Sequence, residues 1–237
     1  YNTSLTLRDL RRREDAIKMV RRAIALRPDY GAAQFFDSLL SLAQGDYARG
    51  WPAYEWRWAL GQMRPRNAGG APRWKGEAFP QRTLLLYVEQ GNGDAIQFGR
   101  FAALAKARGG SVVLEVPKVL ERLMRTLPGV DQLLVRGDAL PPIHYECPLM
   151  SLPAALGITL ETLPARVPYL SAPAPSAKMR RLFETAGPGL KVGLNWSGNP
   201  KHLNDWRRSV PLEHLLPLLE VGGVQFFSLQ KGASAQS

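Results

Sequence analysis

The sequence is poor in cysteine, in acidic residues and in long apolar runs. A single cysteine, Cys147, excludes an internal disulfide and a cysteine-rich zinc site and fits a reducing compartment, so we expect a cytoplasmic protein. Apolar runs such as residues 84–88 fall far short of the ~20 residues that span a bilayer, so we expect no transmembrane segment. Twenty acidic against 31 basic residues leave a formal net charge of +11, which favours an anionic partner: nucleic acid, anionic lipid or a phosphorylated small molecule.

Several catalytic and metal-binding motifs are also missing. The chain has no Walker-type Gly-Lys-Ser/Thr and no Gly-x-Ser-x-Gly nucleophile elbow, and Ile96 stands where a dinucleotide fingerprint needs its third glycine. No Asp-x-Asp pair is present to hold Mg²⁺ against a diphosphate. His144 and Cys147 are three positions apart but have no further ligands beside them, so we predict no metal site.

Residues 1–60 are predicted to form helical hairpins with an internal repeat. Ala16 and Gly50 are 34 positions apart, as are Val20 and Tyr54, and this period is typical of a two-helix solenoid unit. Pro28 closes the first unit. The pattern resembles the tetratricopeptide repeat, and an ordinary helical hairpin is the alternative. About one and a half repeats are visible where about three are usual, so we expect the chain to hold the end of a longer array.

The rest of the chain alternates strand-like and helix-like runs, which is typical of a parallel sheet wrapped by helices. Glycine and proline punctuate residues 61–81, which we interpret as a linker, and a second proline-rich segment lies at 171–176. The predicted strands are 83–88, 111–116, 132–135, 191–196 and 224–229, and the predicted helices are 95–107, 118–126 and one near 211–220. We therefore predict an α/β chain in which a Rossmann-like domain, 82–172, precedes the start of a second one, 173–237.

A loop with two glycines follows the first predicted strand. Glu89, Gln90, Gly91, Gly93 and Asp94 stand where open α/β sheets bind ligands, beyond the carboxyl end of a strand, and the glycines allow close approach to the backbone. Asp94 has two possible roles, as the cap of the next helix or as a general base. From the residues alone the cap is the commoner role, because aspartate is a preferred cap and needs no substrate to explain it.

A second polar loop, residues 197–209, follows a later predicted strand and is rich in cations. Next to a helix N-terminus such a loop can hold a phosphate through charge-assisted hydrogen bonds, although a solvated surface loop fits these residues equally well. Another lysine follows the next strand, and this recurrence favours an anion site. The candidate residues are Ser197, Gly198, Asn199, Lys201, Arg208 and Lys231.

Four aromatic residues lie close together near the end of the repeat: Trp51, Tyr54, Trp56 and Trp58. We expect them to pack the helices against the next domain, since aromatic side chains bury large areas at such contacts. A nucleic-acid platform is the alternative, but no recognition module accompanies the basic residues 11–13, so we predict no specific nucleic acid partner.

Taken together, these segments resemble bacterial tetratricopeptide-repeat glycosyltransferases, whose catalytic part is similar to heptosyltransferases and has the GT-B fold. The segments that carry the resemblance are 45–47, 50–51, 54–57, 89–98, 148–153, 193–200, 208–209 and 228–232. His144 departs from the pattern, because relatives tend to have aspartate there, and we assign it no role.

The resemblance implies a metal-independent, inverting transferase that moves a sugar from a nucleotide-activated donor to a protein or glycan acceptor. In it Asp94 is the base that deprotonates the acceptor, and the cationic second loop and Lys231 hold the diphosphate of the donor. It implies no cofactor beyond the nucleotide-sugar substrate, a protein partner for the repeats, and a chain that stops before the remaining strands of the donor domain. The alternative is a repeat scaffold whose transferase domain has lost activity, and nonspecific nucleic acid binding through net charge is a third possibility.

Overall fold

The computed structural model describes residues 1–61, 65–66, 69–200 and 204–231. Lys201 therefore lies outside the described residues. The chain separates into two compact units, residues 1–173 and 174–237.

Helical hairpins begin the first unit. The helices are α1 (Asn2–Asp9), α2 (Arg13–Leu26), α3 (Gly31–Ala43) and α4 (Tyr47–Tyr54), and a 3-10 turn (Glu55–Leu60) follows α4 directly. Ala16 and Val20 of α2 form a buried cluster with Phe36 and Leu40 of α3. At Gly50 a Cβ would lie 2.6 Å from the Leu42 side chain, so α3 and α4 can pack this closely only because position 50 has no side chain.

A parallel four-stranded sheet follows the helices. Its strands are β1 (Thr83–Tyr87), β2 (Ser111–Val116), β3 (Gln132–Val135) and β4 (Tyr145–Pro148), in the order β3-β2-β1-β4. Leu84, Leu85 and Leu86 of β1 are completely buried, because a central parallel strand is covered on both faces. The predicted α/β, Rossmann-like fold is confirmed.

The helices between the strands are shorter than their sequence pattern predicts. They are α5 (Asn92–Gly99), α6 (Ala102–Lys106) and α7 (Glu121–Met124), with a 3-10 turn at Lys118–Leu120; a further 3-10 turn, Leu149–Ser151, and α8 (Leu152–Ala155) follow β4. The predicted helix 95–107 is thus two helices, since the chain leaves regular helix at Arg100 and Phe101.

The glycine- and proline-rich segment 61–81 contributes to the core of this unit where the structure describes it. Trp74 and Phe79 are almost fully buried, and their rings meet edge to face with centroids 5.7 Å apart. The backbone N–H of Trp74 donates to the backbone carbonyl of Glu146 in β4 (2.9 Å), and the backbone N–H of Glu146 donates to the Pro72 carbonyl (3.0 Å). This segment therefore lies along the outer edge of β4 and covers it.

The second unit contains α9 (Ala177–Thr185) and the parallel strands β5 (Leu190–Leu194) and β6 (Val224–Ser228). Its segment Leu212–Glu220, predicted to be helical, forms 3-10 turns and includes Pro217, which removes a backbone donor. Phe183 packs against Phe227 with ring centroids 5.1 Å apart. Among the described residues of this unit, 174–200 and 204–231, none is fully buried. Within the described part of the whole chain, no helix combines the length and the apolar character that crossing a membrane requires.

Candidate functional site

Asp94 lies at the carboxyl edge of the sheet, in the loop between β1 and α5. Gly91 is the residue that caps α5, and Asp94 is the third residue of the helix, where its Oδ2 accepts the Gly91 N–H at 3.0 Å. Asp94 therefore closes the first turn from within the helix and is not its N-cap. In the described part of the chain no hydrogen bond uses the second oxygen, Oδ1, and the residue is partly exposed. One carboxylate oxygen is thus held in place while the other is available.

The first turn of α5 is open at Gly93. A Cβ built on Gly93 would meet no heavy atom within 4 Å apart from its chain neighbours and the backbone of its own helix, whereas one on Gly91 would lie 3.1 Å from Asp94 Oδ2. Both glycines are exposed. A ligand can therefore approach the backbone of the first turn of α5 from the Gly93 side.

Glu89 and Gln90, by contrast, point into the unit and are held by the helical region. The Glu89 side chain is 3% exposed, and its Oε1 accepts from Arg57 Nη2 (3.2 Å) and from the Met150 N–H (3.2 Å). The Gln90 amide nitrogen donates to the Tyr54 hydroxyl at 3.0 Å. Burial raises the pKa of Glu89, and the positive charge of Arg57 opposes this rise.

Arg57 was not among the predicted site residues. Its side chain is completely buried, lies over the rings of Tyr54 and Trp58 at 4.7 Å from each centroid, and donates to the Ser151 hydroxyl at 2.7 Å. The aromatic residues near the end of the repeat were predicted to pack the helices against the next domain. One of them, Trp51, packs edge to face on Phe98 of α5, with ring centroids 5.6 Å apart. Residues 54–57 belong to a segment that carries the family resemblance, and this was the one sequence feature that could have drawn attention to Arg57. No sequence pattern shows which loop its side chain contacts.

In the second unit, Gln230 holds the start of the second loop. Its Oε1 accepts the N–H groups of Trp196 (3.1 Å) and Ser197 (2.9 Å), and its amide nitrogen donates to the Ser197 carbonyl (3.1 Å). The Gly198 N–H donates to the Ser209 hydroxyl at 2.9 Å, and that hydroxyl donates to Asp205 at 2.9 Å. These contacts fix the backbone of residues 196–198, directly after β5.

The predicted cations of this unit lie near the same loop. Arg208 is exposed, and its guanidinium carbon lies 3.9 Å from where a Cβ on Gly198 would stand. Lys231 is exposed just beyond β6, and Asn199 is an exposed residue of the loop. A cavity of about 580 Å³ adjoins the two ends of the loop, and its lining residues are Trp196, Ser197, Ser209, Val210, Pro211, Leu212, Glu213 and Leu216. The loop and a cavity of ligand size therefore occur together within this unit, whereas Arg208 and Lys231 are not among the residues that line the cavity.

The described residues contain no group of three or more His, Cys, Asp or Glu side chains that could hold a metal ion. His144 Nδ1 accepts the Thr83 N–H at 3.1 Å, which ties β1 to the start of β4. Cys147 is fully buried in the core, where burial raises the pKa of its thiol. His144 therefore holds two strands together and Cys147 fills part of the core.

In sequence the chain is similar to Protein FlbA of Caulobacter vibrioides (strain ATCC 19089 / CIP 103742 / CB 15), with 31% identity over 225 residues. The aligned part is 86% of this chain and 38% of FlbA, so the chain spans about two fifths of the length of this relative. No family model matches the chain, and no solved structure gives a significant match.

Proposed function

We propose that the protein is a metal-independent, inverting glycosyltransferase of the GT-B type, which transfers a sugar from a nucleotide-activated donor to a protein or glycan acceptor. The single observation that supports this best is the carboxylate of Asp94. It stands at the carboxyl edge of a Rossmann-like sheet, with Oδ2 fixed by the Gly91 N–H and with no hydrogen bond to Oδ1 from the described residues, in a helix turn that is open at Gly93. A base that must accept a proton from a bound hydroxyl needs this combination of fixed position and access.

In the proposed reaction Asp94 Oδ1 accepts the proton of the acceptor hydroxyl. The hydroxyl oxygen forms a bond to the anomeric carbon from one face as the bond to the diphosphate breaks on the other, which inverts the configuration. The electron pair of the broken bond leaves with the nucleoside diphosphate. Positive charge stabilises this leaving group, and Arg208, Lys231 and Lys201 are the side chains we assign to it.

The second loop supports the donor part of the proposal. Gln230 and Ser209 hold the backbone N–H groups of Ser197 and Gly198, a fixed geometry that favours binding of a diphosphate, and the adjacent cavity of about 580 Å³ has both apolar and polar walls suited to a nucleoside. We assign Ser197, Gly198 and Asn199 to the diphosphate and the cavity to the nucleoside.

Substitution Asp94→Asn in the intact protein tests the function. Asparagine can still accept the Gly91 N–H but cannot take up a proton, so we expect transfer to fall by ~10²-fold or more while the melting temperature stays within a few degrees. The assay measures nucleoside diphosphate release from a panel of sugar nucleotides, with and without acceptor. Asp46→Asn is the matched control, because Asp46 also accepts a backbone N–H, that of Arg49, at the start of α4. Unchanged transfer by Asp94→Asn would refute the assignment, and wild-type protein without donor turnover would favour the scaffold alternative.

A further inference from the structure

Arg57 is a buried cation in the 3-10 turn that ends the helical region, residues 1–60, and its side chain reaches Glu89 in the β1–α5 loop. Its two terminal nitrogens donate to Glu55, the Tyr54 carbonyl, Ser151 and Glu89. A guanidinium taken out of water is stable only when it is paired and hydrogen-bonded, and the rings of Tyr54 and Trp58 on either side exclude solvent from it. The side chain is therefore held rigidly in one position.

Glu89 depends on this cation more than on any other group. Oε1 has two partners, Arg57 and the Met150 N–H, whereas Oε2 is buried without a hydrogen bond in the described part of the chain. Arg57 is the one cation within salt-bridge distance of this carboxylate among the described residues. Without it, the loop would contain a buried carboxylate with no compensating charge, which the loop can avoid only by moving or by taking up a proton.

Two consecutive residues of the loop form hydrogen bonds with the same part of the helical region. Arg57 pairs with Glu89, and Tyr54 accepts from Gln90, while the next residue, Gly91, donates to Asp94. A continuous set of contacts thus runs from the end of α4 to the Asp94 carboxylate. This arrangement is more than a generic packing contact, because each step is a directed hydrogen bond: two of them end on carboxylates and the third holds the side-chain amide of Gln90.

We propose that Arg57 is a positioning residue, which holds the loop of Asp94 through Glu89 and so makes the acceptor side of the site depend on the helical region. The proposal rests on the proposed function, in which Asp94 is the base. It assigns to the helices a role in turnover itself, in addition to any role in binding a partner.

The first test needs no activity and measures amide hydrogen exchange in the variant Arg57→Met. We expect the Gly91 and Ala95 amides to exchange at least about tenfold faster, a loss of about 1.4 kcal/mol of local protection, because the loop no longer has its buried anchor. Arg49→Met is the matched control, since Arg49 also pairs with a buried carboxylate, Asp37, at 2.7 Å within the helices but does not contact the loop. Unchanged loop exchange in Arg57→Met, or equal acceleration in both variants, would overturn the proposal.

The second test separates positioning from stability in the intact enzyme. Arg57→Met should lower kcat by at least about tenfold with little change in the KM of the donor, and Arg57→Lys should recover part of the loss. The double variant Arg57→Met/Glu89→Met replaces the buried pair by apolar side chains, a change that is often neutral for stability. We expect its melting temperature to recover while kcat stays low. If kcat recovers together with stability, the pair has only a structural role and the proposal fails.

The two tests also separate this proposal from the proposed function. If Asp94→Asn leaves transfer unchanged, the proposed function fails whatever the result for Arg57. If Asp94→Asn abolishes transfer but loop exchange and kcat are insensitive to Arg57, the proposed function stands and the positioning role is wrong.

Discussion

The position of Asp94 after two glycines could be predicted from the sequence, but its contact with the helix cap could not. The sequence placed an aspartate after two glycines at a strand end, and that position is correct. It could not show that Gly91 caps α5 and that Asp94 accepts the cap N–H from inside the helix, because cap positions depend on backbone angles that the residue types alone do not fix. The contact with Gly91 and the proposed base role therefore involve different oxygens of one carboxylate, so the two roles do not exclude each other.

Gly93→Ala tests whether a ligand occupies the space beside Asp94. The added methyl group meets no heavy atom within 4 Å beyond its chain neighbours and the backbone of its own helix, and alanine favours a helix, so stability should be unchanged or rise by up to about 1 kcal/mol. Transfer should nevertheless fall by about tenfold or more, since an ill-placed methyl in a fitted site costs about 1–3 kcal/mol. Thermal melting and kcat/KM for the acceptor measure the two effects.

Gly222→Ala provides the control for that substitution. A Cβ there also meets nothing within 4 Å, and Gly222 belongs to the second unit, whereas this loop belongs to the first. Equal activity of the Gly93→Ala and wild-type proteins would mean that no substrate contacts the first turn of α5.

At the scale of elements, apolar runs predicted three strands of the first sheet and missed the fourth. Three of the runs are rich in Val and Leu, whereas β4 reads Tyr-Glu-Cys-Pro and has no such pattern. Its pairing with β1 and with residues 72–74 defines it, and such long-range pairing is invisible in a local window. For the same reason the contacts of Arg57 with Glu89 and Ser151, 32 and 94 positions away, could not be predicted.

The hairpin of α1 and α2 has a basic cleft whose partner chemistry can be tested. A cavity of about 780 Å³ is lined by Arg8, Arg11, Arg12 and Arg13, with Glu14, Asp15 and Gln44. We propose that this cleft binds an acidic stretch of a protein acceptor. Arg11→Glu/Arg13→Glu should then lower transfer to the protein acceptor by about tenfold at low salt and less at high salt, while donor turnover into water stays constant.

Lys178→Glu/Lys191→Glu in the second unit removes the same amount of charge and serves as the control. If both double variants lose transfer to the same extent, net charge and not the cleft attracts the acceptor. An equal loss of donor turnover in Arg11→Glu/Arg13→Glu would contradict a binding role for the cleft.

At the scale of the whole molecule, burial differs sharply between the two units. Leu84, Leu85 and Leu86 of β1 have no exposed surface, whereas no described residue of β5 or β6 is fully buried. A two-stranded sheet whose described residues are at most partly buried is marginally stable in water. We therefore expect the amides of β1 to exchange only through global unfolding and those of residues 224–228 to exchange at least about 10²-fold faster.

Hydrogen exchange followed by mass spectrometry on the intact protein resolves the two sheets. Addition of a sugar nucleotide that binds should slow exchange in the second unit first, because ligand binding stabilises the state that binds it. Protection of β5 and β6 equal to that of β1 before any ligand is added would contradict the expected difference in stability.

The two packing faces of α3 also determine where a functional chimera of this protein and a relative can be joined. One side of α3 packs on α2 through Phe36 and Leu40, and Phe35 and Leu42 on the same helix pack against the core that contains the sheet. Among the described residues, α3 carries the apolar contacts of both clusters, so a chimera that exchanges α1 and α2 at the turn around residues 27–30 would keep the Arg57 contacts intact. A junction placed at residue 60, the boundary that sequence composition suggests, would separate Arg57 and Tyr54 from their partners Glu89 and Gln90. Recombination between relatives should accordingly tolerate the earlier crossover and select against the later one.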